Sequence, residues 1–228
     1  MFEPHKIVAI LTAYKRDYFS QQINSLLNQT QKIDKIVIFN NGSLDLSHLK
    51  NTFKDKISLI NSELNTKFWG RFAIASLFNT EYVLMLDDDT IPGLRWVETC
   101  YNMCLEKNCI VTGNGRSIDN KVSMGDGGYT EQDTKIAFGG HSWFYRKEWL
   151  KYFLMQPVVS YDTGEDISFS AYCKINGDID TWLPKQSGES SAHSQSYCDD
   201  QHASFRLNSW DLKREAICQH FVNLGWTI

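Results

Sequence analysis

Three consecutive carboxylates, Asp87, Asp88 and Asp89, close the uncharged run YVLML at residues 82–86. Such a run is a strand buried on both faces. The carboxyl ends of strands of this kind form the ligand crevice of open α/β sheets. Acids buried there without compensation are very costly. A divalent cation supplies the compensation. Carboxylate oxygens favour Mg²⁺ or Mn²⁺, which keep open positions for a substrate's phosphates. The plainer reading is a surface turn, where Asp is common. A second acidic pair, Glu165-Asp166, follows Gly164 and opens a helical pattern. Acids in a first turn stabilise the helix dipole. Arg71 and Lys67 offer fixed positive charge for a diphosphate, or are solvated helix residues. Gly139-Gly140-His141 interrupts a strand pattern, which means either a close backbone approach to a ligand or a β-bulge.

The elements that must position these residues alternate. Strands are expected at 6–14, 35–39, 57–60 and 82–86, with helices at 18–28 and 68–78 between them. Strand–helix alternation with short connections predicts an α/β fold, with a mostly parallel central sheet and helices on both faces. The turn after the first strand lacks GxGxxG, and no Walker A motif occurs, so neither a dinucleotide fold nor a P-loop enzyme is expected. Farther on, the pattern predicts a helix at 96–107, a short strand at 109–112 and a loop region at 114–134. A strand broken at the two glycines (136–144) follows, then helices at 147–154, 167–175 and 210–224. Residues 184–208 read as a long polar loop, expected to be a lid. Trp69, Trp143, Trp149 and Trp182 are more readily core residues than sugar-stacking platforms.

With 228 residues and a net charge of −4, the chain can bury a core and shows no basic face for nucleic acid. None of its six cysteines forms a CxxC pair, so buried free thiols are expected. The start lacks a signal-peptide pattern, and no apolar run reaches the length of a membrane span. These features predict a cytoplasmic chain, or one domain of a larger protein.

In this order, several segments resemble the GT-A family of nucleotide-sugar glycosyltransferases, most closely its exostosin-like branch. They are LTAYKR (11–16), KIVIFNN (35–41), GRFAIASLFNTEYVLMLDDDT (70–90), AFGGHSWFYRKEWL (137–150), GEDISFS (164–170) and KREAICQHFVNL (213–224). The resemblance implies a single GT-A domain over 1–228, with a nucleotide-binding half (1–113) and an acceptor and catalytic half (114–228). It implies transfer from a UDP-sugar to a hydroxyl of a glycan or glycoprotein, with Mn²⁺ or Mg²⁺ as cofactor. Thr12, Tyr14 and Arg16 would flank the base and ribose, and Asn40 would contact the base. Arg71 would lie beside the diphosphate or sugar, and Asp87 and Asp88 would face sugar and ribose. Gly139, Gly140 and His141 would form the floor under the sugar. Asp89 would be the principal metal ligand, with His193 or His202 as a third ligand from the late loop. Arg206 would meet the donor diphosphate, and Asp166, with Glu165 beside it, would be the reaction-centre carboxylate: the base toward the acceptor hydroxyl in an inverting transfer, or the stabiliser of oxocarbenium-like charge in a retaining one. Exostosin-like proteins usually bond a cysteine before the acidic pair to one in the last helix. Gly164 replaces the first, while Cys218 remains. The alternatives are a sugar-nucleotide nucleotidyltransferase, which would need a Gly-rich basic loop where AYKRDYF stands, and a non-catalytic carbohydrate- or nucleotide-binding module.

Overall fold

A computed structural model describes residues 5–42, 44–117, 130–186, 191–197 and 209–227. The first half builds four parallel strands: β1 (His5–Ala13), β2 (Lys35–Asn40), β3 (Ile57–Asn61) and β4 (Thr80–Leu86). Helices α1 (Phe19–Leu27), α2 (Ser47–Phe53) and α3 (Gly70–Ser76) connect them. After β4 come a short strand β5 (Thr90–Pro92), helix α4 (Trp96–Lys107), β6 (Ile110–Arg116), β7 (Thr134–Ile136) and β8 (Phe138–Arg146). Helices α5 (Leu150–Leu154) and α6 (Glu165–Gly177), β9 (Thr181–Leu183), β10 (Gln195–Tyr197) and α7 (Trp210–Asn223) complete the chain.

Eight strands form one sheet in the order β3-β2-β1-β4-β8-β6-β9-β7, and β5 pairs with β10 in a separate ribbon. Within the sheet only β8 and the short edge strand β7 run against the rest. The expected α/β architecture, a mostly parallel sheet with helices on both faces, is the one found. Both central strands are wholly buried from Ile7 to Leu11 and from Tyr82 to Leu86. That burial explains their lack of polar alternation. Helix α1 covers the sheet with Phe19, Ile23 and Leu26, at the spacing of one helical face.

Several expectations are corrected. Strand β6 continues to Arg116, into what reads as loop, because β8 pairs along it. Strand β8 runs unbroken through Gly139 and Gly140. The bulge lies one residue later, where three steps of β8 oppose two of β6 and His141 adopts φ 62°. Neither α2 nor the short strands β5, β7, β9 and β10 show a pattern long enough to read. The expected lid is anchored over its described part. Residues 191–197 are held by the β10–β5 pairing, and Gly93 and Arg95 donate backbone N–H groups to Ser194 and Ala192. Residues 187–190 and 198–208 lie outside the described residues. All five described cysteines are buried free thiols, as expected. Trp143 and Trp149 are core, Trp69 stacks on Phe153 with centroids 4.9 Å apart, and Trp182 lies half-buried beneath the Lys107 ammonium. No helix among the described residues is long and apolar enough to cross a membrane.

The two glycines of β8 differ. A Cβ on Gly139 would collide with the Thr112 hydroxyl and the Asn114 carbonyl, whereas one on Gly140 meets nothing within 4 Å. Gly139→Ala is therefore expected to cost roughly 1–3 kcal/mol in denaturant unfolding, the usual penalty of overpacking. Gly140→Ala should leave the unfolding midpoint unchanged. Equal stability of the two variants would contradict this packing.

Candidate active site

The turn after β4 is fixed from three sides. The Asp87 N–H donates to the His141 carbonyl at 2.9 Å. Gln22, fully buried on α1, donates its amide to the carbonyls of Asp87 and Thr90, both at 2.7 Å. Ser25 donates its hydroxyl to the Pro92 carbonyl. The bulge at His141 brings its imidazole to the acids, with Nδ1 3.9 Å from Asp89 Oδ1. Asp87, Asp89 and His141 thereby offer donor atoms that all lie within 4.8 Å of one another. Two carboxylates and an imidazole suit Mn²⁺ well and Mg²⁺ less so. The nitrogen donor differs from the expected one. His193 pairs with the Thr99 hydroxyl on α4 at 2.9 Å and stands outside this group. His202 lies outside the described residues. His141 carried a signal in sequence, but as sugar floor rather than ligand.

Arginines already meet much of the buried acid charge. Arg16 reaches Asp88 at 2.6 Å and Asp89 at 3.2 Å. Arg71 is 2% exposed and bridges Asp87 at 2.5 Å and Glu165 at 2.7 Å, with its guanidinium over the Trp143 ring. It is no solvated helix residue. Arg214 of α7 grips Asp166 with two bonds, at 3.0 and 2.6 Å. Among these pairs five carboxylates meet three guanidiniums, with Arg116 and Asp211 lining the same cleft, and a bound divalent cation would offset part of the acid charge. Without one, protons are the alternative. Burial, with the nearby Asp166 charge, pushes the Glu165 carboxyl up to about 7 against the pull of Arg71. Burial likewise raises Asp87 and Asp88, opposed chiefly by Arg71 and Arg16 respectively.

The other expected residues are spread along the carboxyl edge of the sheet. Thr12, next to last in β1, is half-buried, and Tyr14 follows the strand, exposed. Asn40 is buried, and its amide is engaged within the fold: it donates to the Leu44 carbonyl and Asn61 and accepts the Leu44 N–H. That network shapes the loop after β2. Lys67 pairs with Asp162. Arg206 lies outside the described residues. A cleft of about 760 Å³, partly open to solvent, brings together Arg71, Asp87, Gly139, Gly140, Glu165 and Asp166. Its lining also includes Trp210 and Arg214. Sequence reasoning missed both as site residues, along with Gln22. Only Arg214 carried a signal, as part of the resembling segment 213–224.

The mostly parallel sheet, with an acid-ended central strand beside an antiparallel neighbour, is of the GT-A kind. The model of glycosyl transferase family 2 matches residues 8–153, and the chain belongs to that family. An uncharacterized glycosyltransferase of Haemophilus influenzae is 31% identical over 119 residues, covering 50% of this chain and 36% of that protein. The chain thus spans about a third of that relative's length. The crystal structure of S. aureus TarS aligns with TM-score 0.60 at 15% identity, covering 81% of this chain and 37% of that one. TarS 1–349 in complex with UDP-GlcNAc aligns with TM-score 0.59 at 14% identity, covering 96% of this chain and 72% of that one. At these identities the structures show the fold alone.

Glu165 makes a pH prediction. Its folded pKa lies above its ordinary 4.5, so the native state holds the extra proton between about 4.5 and 7. Its contribution to stability is present below that window and is lost as pH rises through 7. In chelator-treated buffer, raising the pH from 5 to 8 should cost the wild type roughly 2–3 kcal/mol more than Glu165→Gln. Parallel unfolding curves for the two proteins across this range would refute the assignment.

Proposed function

We propose that this chain is the catalytic unit of a divalent-metal-dependent glycosyltransferase. It moves a hexose or N-acetylhexosamine from a UDP-sugar to a hydroxyl of a glycan or glycoprotein. The observation that carries this reading is the convergence of Asp87, Asp89 and His141 in a family 2 glycosyltransferase, in reach of a cleft whose other wall holds Glu165 and Asp166. The S. aureus TarS structures with UDP and with UDP-GlcNAc support the choice of donor. The segments around Glu165-Asp166 and α7 remain the support for an exostosin-like kinship. The nucleotide half covers 1–113 and the acceptor and catalytic half 114–228.

Each residue's part follows from its place. Asp87, Asp89 and His141 would hold the cation, which neutralises charge developing on the leaving diphosphate. Arg71 and Arg16 hold the acids in place and add fixed positive charge at the same edge. Gly140 lets the sugar approach the β8 backbone, since its open face lines the cleft. Thr12 and Tyr14 flank the nucleoside at the end of β1. Asp166 accepts the proton of the acceptor hydroxyl as that oxygen attacks the anomeric carbon. Glu165 keeps Arg71 in register with Asp87.

Two measurements test this reading. Calorimetric titration with UDP should show binding that needs Mn²⁺ and falls at least about tenfold in Asp89→Ala, a loss in the range of outer or inner ligand removal. Metal-independent affinity would refute it. UDP release should be measured with Mn²⁺ from UDP-glucose, UDP-galactose, UDP-GlcNAc and UDP-GalNAc. At least one should turn over, and Asp166→Asn should slow it by about a hundredfold or more while UDP affinity is kept. An Asp166→Asn variant that melts earlier yet turns over normally would make Asp166 a helix-capping acid only.

A further inference from the structure

The two acids that open α6 diverge. Glu165 turns to Arg71 and through it to the metal-side acid Asp87. Asp166 turns the other way, to Arg214 on the second turn of α7. The contact is a fork. Arg214 Nη1 donates to Oδ1 at 3.0 Å and Nη2 to Oδ2 at 2.6 Å, and the Ile167 N–H adds a third bond to Oδ1 at 2.9 Å. Asp166 is 7% exposed and Arg214 6%, and both line the cleft. The guanidinium is itself held. It lies 5.2 Å from the ring centroids of both Phe138 and Trp210, and it donates to the Thr163 hydroxyl at 3.4 Å. Helix α7 docks closely beside it. Ile217 fills the space that a side chain at Gly164 would need, and Phe221 meets Tyr172 edge-on with centroids 4.8 Å apart.

A bidentate guanidinium–carboxylate pair fixes the plane of the carboxylate as well as its distance. A lysine in its place supplies charge without the fork. We propose that Arg214 is a positioning residue for the transfer reaction: its fork sets the plane of the Asp166 carboxylate against the cleft. Catalysis therefore depends on the docking of α7, an element beyond the residues 8–153 that define the family. This inference rests on the reading of Asp166 as the base. A direct role of Arg214 on the donor's phosphates is the competing explanation.

The test uses the full chain and UDP release with Mn²⁺ from the fastest of the four UDP-sugars. Arg214→Lys and Arg214→Ala should lose about a hundredfold in kcat, as expected for a displaced reacting group, with donor KM and UDP affinity changed less than about threefold. Retained UDP affinity also shows that each variant is folded. Guanidinium chloride at non-denaturing concentration should restore part of the Arg214→Ala rate, and methylammonium should not. In the Asp166→Asn background, Arg214→Lys should cost nothing further, because the two residues act as one unit. An undiminished kcat in Arg214→Lys and Arg214→Ala would overturn the inference. So would an equal loss from Arg214→Lys with and without Asp166, which would place Arg214 on the donor itself. Full activity of Asp166→Asn alone would instead remove the base assignment on which the inference stands.

Discussion

Arg71 stands between Asp87 at the end of β4 and Glu165 at the start of α6, almost wholly buried. The two acids belong to different halves of the chain. Without the guanidinium the two carboxylates would repel each other across the cleft. Removing one partner of such a buried network leaves an uncompensated charge, which is strongly destabilising. Arg71 therefore holds the end of β4 and the start of α6 at one separation. The Trp143 ring under it restricts its position further.

Around that bridge, the sheet places the remaining groups. Strand β8 enters antiparallel against β4, and its bulge lets His141 leave the regular pleat. A regular strand would send alternate side chains to opposite faces. The bulge changes that alternation at the one position where an imidazole meets Asp89. The His141 carbonyl meanwhile receives the Asp87 N–H, so ligand placement and turn closure share a residue. Gln22 and the β5–β10 ribbon hold the far side of the same turn. The acid turn is thus rigid before any ligand arrives, which a preorganised electrostatic site requires.

The family match ends at residue 153, before α6, yet Glu165, Asp166 and Arg214 of the cleft lie beyond it. In the exostosin-like pattern, a disulfide would join the start of α6 to the last helix. Here Gly164 sits in the left-handed region at φ 84°, pressed against Ile217, and Cys218 is a buried free thiol. The Asp166–Arg214 fork and the aromatic packing of α7 make that connection without a covalent bond. This junction places the attachment at the Asp166 carboxylate, which lines the cleft.

The sequence alone determined the class of fold and where its acids lie. Uncharged runs such as 82–86 can only be buried strands, and their alternation with helices dictates the parallel sheet. Asp87–Asp89 and Glu165-Asp166 were legible because charge beside a buried element demands a reason. Tertiary structure decided which partners answer that charge. His141, rather than His193, stands with Asp87 and Asp89 in the candidate metal group because a one-residue bulge, invisible in composition, turned it toward Asp89. Asn40 looked free for a base but shapes its own loop. Arg71 could be read as solvated, and Arg214 as an ordinary helix residue, until the fold brought Glu165 and Asp166 to them. A guanidinium's role depends on what stands within 3 Å of it, and residues 71 and 165, or 166 and 214, are too far apart along the chain for any local pattern to pair them.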